Sequence, residues 1–270
     1  MKSMIRWVGG KNDLCKILES QLPPKYYKSQ IIPKYFEPFV GGGSFLLHLL
    51  TNQYDIQYIY ISDINKDLIL LYNIIRDYPE NFINLFNMKL DDYKETDDKK
   101  KYYYDIRELY NNTDNLIEKA VIFIFLNKMC YNSLYRLNKY GQFNVSYNHK
   151  YVKNPDWMQE DNIYEISHSL QDAHILCSDY TTSLKFIDNN SFLYLDIPYE
   201  NTWNYNTHNN NLINFEKYLN ILCQKQSMFL LSSFENNFSI NYPIWIYDIN
   251  KYHAFDRKRK DEILIRNYEV

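Results

Sequence analysis

The residues best suited to chemistry stand in one short run, Asp196-Ile197-Pro198-Tyr199, which closes the apolar stretch SFLYL. A carboxylate and the backbone carbonyl after it can both accept hydrogen bonds from an exocyclic amine. Such bonds raise electron density on a nitrogen whose lone pair is otherwise spread into a base ring, and so ready it to attack an electrophilic methyl carbon. Asp196 supplies the carboxylate, Ile197 the carbonyl, and Tyr199 a face on which a base swung out of a duplex can stack. By themselves the four residues describe an acidic strand end entering a proline turn at least as well.

Glycine marks the second place to look. The six glycines are Gly9, Gly10, Gly41, Gly42, Gly43 and Gly141, so five of them fall in two N-terminal clusters. In Glu37-Pro-Phe-Val-Gly-Gly-Gly-Ser44 a glycine turn at Gly41 to Gly43 separates an apolar strand from an apolar helix. Glycine there lets backbone approach a ligand at a helix N-terminus. Asp63 follows about 20 positions on, at the end of the next strand pattern, where an acid can bond ribose hydroxyls. Either feature alone is equally a tight turn or a strand end. The turn lacks spaced GxGxxG glycines and no basic residue follows it to meet a pyrophosphate, which favours S-adenosylmethionine over a dinucleotide. Upstream, Arg6-Trp7-Val8-Gly9-Gly10-Lys11 offers an aromatic, a second glycine turn and a cation that can reach a carboxylate. That stretch read alone is equally a surface turn.

The elements that must position these residues alternate at first. Residues 31–40 read as a buried strand, FLLHLL as a helix, IQYIYIS as a second strand ending at Asp63. A helix capped by Asn65 follows, with Leu68, Leu71, Tyr72 and Ile75 on one face. This opening predicts an α/β domain with a parallel sheet. From about residue 80 to 156 the alternation stops; a charged run gives way to EKAVIFIFLNKMCYNSLYRL, which reads as a buried helix. Strand patterns then return in HILCSD, SFLYLD, SMFLLSS, PIWIYDI and EILIRNY. The expected organisation is a catalytic domain of residues 1–76 and 157–270 around an inserted, mainly helical domain of residues 77–156.

Composition excludes several classes. With 270 residues and 46% hydrophobic content the chain can bury a sizeable core. Cys15, Cys130, Cys177 and Cys223 show no CxxC spacing, which argues against a disulfide framework or a zinc site. No window has the length of a membrane span and the N-terminus lacks a signal-peptide core, so an intracellular, cytoplasmic protein without metal or membrane contact is expected. The net charge of −3 does not by itself favour nucleic acid, so a phosphate-binding face must be local. Lys251 to Lys260, with Arg257, Lys258 and Arg259, is a candidate for that face and equally a solvated loop.

In one order along the chain these motifs resemble the Dam family of DNA adenine-N6 methyltransferases, of the alpha group that includes the GATC methylases. RWVGGK (6–11), EPFVGGGS (37–44) and SDINKDLILLYNIIR (62–76) are similar to the family's cofactor motifs. FLNKMCYNSLYRLNKYGQFNVSY (125–147) resembles its target-recognition segment, LDIPY (195–199) its catalytic motif and RKRKDEILIRNY (257–268) its C-terminal strand. The resemblance implies a Rossmann-like S-adenosylmethionine-dependent fold with an inserted helical target-recognition domain. It implies methyl transfer to N6 of a flipped-out adenine in double-stranded DNA, with Asp196, Ile197, Pro198 and Tyr199 catalytic. It further implies that Trp7, Lys11, Phe39, Gly41, Gly43, Asp63, Asp179, Tyr180 and Asp196 hold the cofactor. Arg6, Tyr131, Asn132, Leu134, Arg136 and Ser146 align with DNA-contacting positions; an arginine at 136 can read guanine through O6 and N7. A monomer or weak dimer of bacterial, phage or viral source, with or without a restriction endonuclease partner, fits this resemblance.

The chain departs from the family pattern twice. Ile197 replaces the first proline of Asp-Pro-Pro-Tyr, keeping the carbonyl but losing the fixed φ. Ser146 stands where GATC-reading members often carry proline, which weakens GATC as the target while leaving it the first candidate. The alternative expectation is a catalytically impaired homologue that binds cofactor and DNA as a regulatory module. Methylation of RNA or of a protein glutamine is a third reading, opposed by the aspartate at 196 where glutamine methyltransferases typically carry asparagine.

Overall fold

The computed structural model describes residues 1–7, 9–148, 157–197, 208–234, 238–249 and 262–270. The chain divides into two compact units: Met1–Asn12 with Gly41–His48 and Asn65–Ile175, and Asp13–Val40 with Leu49–Ile64 and Leu176–Val270. Pro198, Tyr199 and the basic run 251–260 fall outside the described residues.

The strands are β1 (Ile31–Ile32), β2 (Lys34–Glu37), β3 (Asp55–Ile56), β4 (Ile59–Asp63), β5 (His174–Cys177), β6 (Ser191–Asp196), β7 (Met228–Ser233), β8 (Trp245–Asp248) and β9 (Ile263–Arg266). A seven-stranded sheet runs in the order β5-β4-β2-β6-β7-β9-β8, while β1 and β3 pair by themselves. β2 lies parallel to β4 on one side and to β6 on the other, β6 is parallel to β7, and β9 is antiparallel to β7 and β8. The single strand expected over 31–40 is therefore interrupted at Pro33, which has no N–H for a ladder, and it ends at Glu37. Likewise IQYIYIS contributes to two strands, β3 and β4.

Consecutive apolar residues in β2, β4 and β6 explain why these strands lie in the sheet's middle: both faces of a parallel strand are covered, so every side chain must tolerate burial. On one face Phe36, Tyr60, Leu193, Leu195, Phe229, Leu231 and Ile265 form a core with Phe215, Tyr218, Leu219 and Leu222. Those last four come from α9 (His208–Gln224). On the other, Tyr26 of α2 (Pro24–Ser29) meets Phe192 edge-on at 6.2 Å. Tyr268 also packs on Phe192, and its hydroxyl donates to the Gln21 carbonyl at 2.8 Å, just past α1 (Cys15–Ser20).

The other unit is mainly helical. After α3 (Ser44–Thr51) come α4 (Lys66–Asp77), α5 (Pro79–Glu95), α6 (Lys99–Asn112), α7 (Leu116–Met129) and α8 (Glu160–Ser169). Asn65 caps α4 as its sequence position predicts, accepting from the Asp67 and Leu68 amides at 3.0 and 3.1 Å. Asp98 and Asn115 cap α6 and α7 in the same way. α7 is buried from Ala120 to Asn127, and α4, α5 and α6 pack around it. The helix read from EKAVIFIFLNKMCYNSLYRL stops at Met129, short of that pattern. Cys130 is extended at ψ 165°, and Asn132 and Ser133 both take φ 53°, a left-handed conformation no helix continues.

Candidate active site

In the unit that holds β2, β4 and β6, residues singled out by chemistry collect at strand carboxyl ends. Asp63 is the last residue of β4 and Asp196 the last of β6. Phe39 lies two residues beyond β2, while Asp179 and Tyr180 follow β5. The Val40 amide donates to the Ser62 carbonyl at 3.0 Å, and the Ser178 amide to the Asp63 carbonyl at 3.1 Å, which ties the end of β4 to the chain just past β2 and β5. Because β4 and β6 flank β2 on opposite sides, β2 is the point where the chain's course across the sheet reverses. Open α/β sheets bind ligands at such a point, outside the strand carboxyl ends.

The Phe39 ring stacks on Tyr180 with centroids 5.3 Å apart and planes at 29°, and Phe215 closes on both. Burial, reinforced by the neighbouring Asp179 charge, pushes the Tyr180 hydroxyl up to about 12, so it stays protonated as a donor. Asp179 starts the following 3-10 turn with one oxygen, Oδ1, which accepts from the Thr181 amide at 2.9 Å and its hydroxyl at 2.6 Å. Its Oδ2 carries no bond among the described residues. Ile197 packs its side chain partly buried against the core beneath β6.

In the helical unit the glycine turn is held from several directions. Gly41 has φ 48° and Gly43 φ 64°, both left-handed. A Cβ on Gly41 would stand 2.8 Å from Cδ1 of Trp7, and one on Gly42 2.9 Å from the Ser3 hydroxyl. Trp7 and Ser3 thus occupy the space that glycine leaves, a reason for these glycines that the sequence did not disclose. Ser3 Oγ donates to the Gly42 carbonyl at 2.7 Å and the Tyr72 hydroxyl to the Gly41 carbonyl at 3.0 Å. Lys11 is buried.

The segment 130–148 folds back on itself in the same unit. Bridges pair Cys130 with Tyr147 and Leu137 with Phe143, and the tip turns at Gly141, whose φ is 75°. α6 anchors the returning arm: Tyr103 Oη donates to the Val145 carbonyl at 2.8 Å, and Asn111 pairs with both backbone groups of Phe143. Tyr131, Asn132, Arg136 and Ser146 are exposed, and Leu134 is half-buried. Arg136 is held by Asn144, Nε to Oδ1 at 2.8 Å, and the Ser146 carbonyl accepts from the Tyr131 amide at 2.9 Å. Arg6 joins this group through Asn127 of α7. Asn127 Oδ1 accepts from the Arg6 amide at 2.9 Å, and its Nδ2 donates to the carbonyls of Arg6 at 2.8 Å and Ser133 at 3.3 Å.

A model of the D12 class N6 adenine-specific DNA methyltransferases matches residues 7–263. The chain belongs to that family. It is an adenine-specific DNA methyltransferase, and its mixed α/β architecture with a mostly parallel seven-stranded sheet is consistent with the S-adenosylmethionine-dependent methyltransferase fold. It is 34% identical to the Type II methyltransferase M.MjaIII of Methanocaldococcus jannaschii over 99% of both chains. It is 32% identical to the DNA adenine methylase of Escherichia coli, over 73% of this chain and 65% of that protein. A Type II methyltransferase of Lactococcus lactis, M1.LlaDCHI, is 30% identical over 74% of this methyltransferase.

Three further residues of this methyltransferase do not stand out in the sequence. Ile64, next to Asp63, is 80% exposed. Asp67 and Asn127 are buried polar residues on α4 and α7 whose bonds span 68 and 121 positions, and no local pattern encodes such partners. Among the described residues no helix is long and apolar enough to cross a membrane, and no group of three His, Cys, Asp or Glu could hold a metal.

Proposed function

We propose that this methyltransferase takes its methyl group from S-adenosylmethionine and delivers it to N6 of an adenine flipped out of duplex DNA inside the cell. The observation that carries the reading is the set of acids at the carboxyl ends of β4 and β6, on either side of β2, next to the Phe39–Tyr180 stack. Asp63 is suited to ribose hydroxyls. Asp179 Oδ2 is suited to an adenine amine, and the exposed Ile64 and the stacked aromatics to an adenine face. The family resemblance adds Trp7, Lys11, Gly41 and Gly43 to the cofactor set. Asp196 and the Ile197 carbonyl are the acceptors for the target amine. Residues 77–156 form the target-recognition part in this reading, and residues 1–76 and 157–270 the catalytic part. Arg6, Tyr131, Asn132, Leu134, Arg136 and Ser146 face DNA, with the exposed Lys139 beside them for phosphate. The S-adenosylmethionine, when bound, supplies the electrophilic methyl; the residues of this chain orient it and polarise the attacking nitrogen. Pro198 and Tyr199 complete the catalytic set on the resemblance alone.

The test is expression in a host without adenine methylation, followed by methylation-aware sequencing of its DNA, with GATC as the first motif to score. The expected result is N6-methyladenine in one recurring motif, lost with Asp196→Ala, since removing one preorganised hydrogen-bonding group of this kind costs about 100-fold or more in rate. Folded protein with no N6-methyladenine in any motif would overturn the proposal.

A further inference from the structure

Asp67, in the first turn of α4, is buried, and Oδ2 of its carboxylate accepts two tyrosine hydroxyls: Tyr110 of α6 at 2.7 Å and Tyr135 at 2.6 Å. No cation forms a salt bridge to it among the described residues. Burial, with Asp67 beside them, holds both hydroxyls well above the usual tyrosine range, so they remain donors. A buried carboxylate with its two hydroxyl partners is a poor device for stability, because an apolar set of the same volume would avoid the loss of hydration. What it adds is direction: it fixes where the Tyr135 hydroxyl sits.

That position matters because of what Tyr135 touches. In the chain it separates Leu134 from Arg136. In space its ring lies 6.0 Å from Trp7, tilted 36°, and meets Phe123 edge-on at 5.8 Å. Trp7 in turn fills the space above Gly41. One ring therefore stands between the segment read as facing DNA and a wall read as facing cofactor. The same segment holds Asn132 and Ser133 in left-handed backbone, which is costly for residues other than glycine. Coupling between the two sites requires a second arrangement of this segment that both sites bias.

We propose that Asp67 and Tyr135 are positioning residues that couple DNA binding at the 131–136 turn to cofactor binding at the Trp7–Gly41 wall. This rests on the cofactor and DNA roles proposed above. DNA that settles Leu134 and Arg136 fixes Tyr135, which steadies Trp7; by linkage, cofactor tightens DNA by the same factor. The carboxylate keeps the Tyr135 ring from turning away while this happens.

The experiment measures calorimetric binding of sinefungin, a non-transferring cofactor analogue, with and without an unmethylated duplex carrying the motif found by sequencing. In the wild type the duplex should tighten sinefungin about tenfold. Tyr110→Phe removes the other hydroxyl from Asp67 and should keep that factor. Tyr135→Phe keeps the ring but frees it from Asp67 and should bring the factor below about twofold. Asp67→Asn, a weaker acceptor of the same shape, should fall between and serves if Tyr135→Phe does not fold. Equal coupling in Tyr135→Phe and Tyr110→Phe, full coupling in Asp67→Asn, or a wild type without coupling would overturn the proposal. Sinefungin affinity without DNA tests the cofactor reading separately, since a wild type that binds sinefungin but shows no coupling leaves that reading intact.

Discussion

At the scale of single residues the departure at Ile197 is the one with most bearing on turnover. Proline would fix φ and so aim the carbonyl; isoleucine gives up that restraint. The structure shows what it has instead, a side chain packed against the core cluster that includes Leu193, Leu195 and Phe215. Full burial of an apolar side chain of this size is worth roughly 1.5–3 kcal/mol, and the part of that which Ile197 gains favours the backbone conformation that makes the contact. Ile197→Pro should therefore change kcat by less than about threefold. Ile197→Gly, which has neither restraint, should lower kcat at least about tenfold, equivalent to roughly 1.4 kcal/mol of barrier. Steady-state methylation kinetics at saturating DNA and cofactor separate the two. A proline variant that gains tenfold or more would show that core packing does not restrain the loop and that the sequence alone was the better guide.

At the scale of elements, the turn from Cys130 to Arg136 gives the next prediction. Ser133 holds φ 53° with no hydrogen bond to its hydroxyl among the described residues, so its side chain adds backbone cost without a contact in return. Ser133→Gly should stabilise the protein by about 0.5–1 kcal/mol, read as a rise of roughly 2 °C in Tm. A lower Tm would mean that the hydroxyl is bound after all. The same stretch shows how far sequence reaches. The strand ends at Asp63 and Asp196, the Asn65 cap and the strand patterns from HILCSD to EILIRNY were legible because each depends on neighbours within a few positions. The premature end of α7 was not: MCYNSLYRL keeps apolar residues at intervals a helix could use. Its left-handed turn is set by Asn127 reaching Ser133 and by Asp67 reaching Tyr135. Trp7 over Gly41 escaped for the same reason, since a glycine turn written in sequence does not say whether ligand or protein fills the space.

At the scale of the whole molecule the 28 tyrosines set the alkaline limit of the fold. Tyr35, Tyr194, Tyr218 and Tyr268 are buried, and burial is the first cause holding their hydroxyls well above the ordinary range. Tyr103 and Tyr110 in the helical unit are raised for the same reason. In the unfolded chain a tyrosine ionises near pH 10, so each of these groups favours the folded state by its full amount below about pH 10. Above that pH the unfolded chain releases protons that the folded one keeps, and the advantage drains by about 1.4 kcal/mol per pH unit for each group until its folded pKa is reached. Tyr35, Tyr194, Tyr218 and Tyr268 alone then remove roughly 5–6 kcal/mol per pH unit, comparable with the ~5–15 kcal/mol that holds a typical domain together. The fold should give way before these tyrosines ionise in place. Phenolate absorbance and far-UV circular dichroism followed together from pH 9 to 12, at roughly half-unit steps around the tyrosine pKa, should therefore change in one coincident, steep transition. Gradual phenolate formation from these groups with the dichroism still native would show instead that water reaches the sheet core without unfolding.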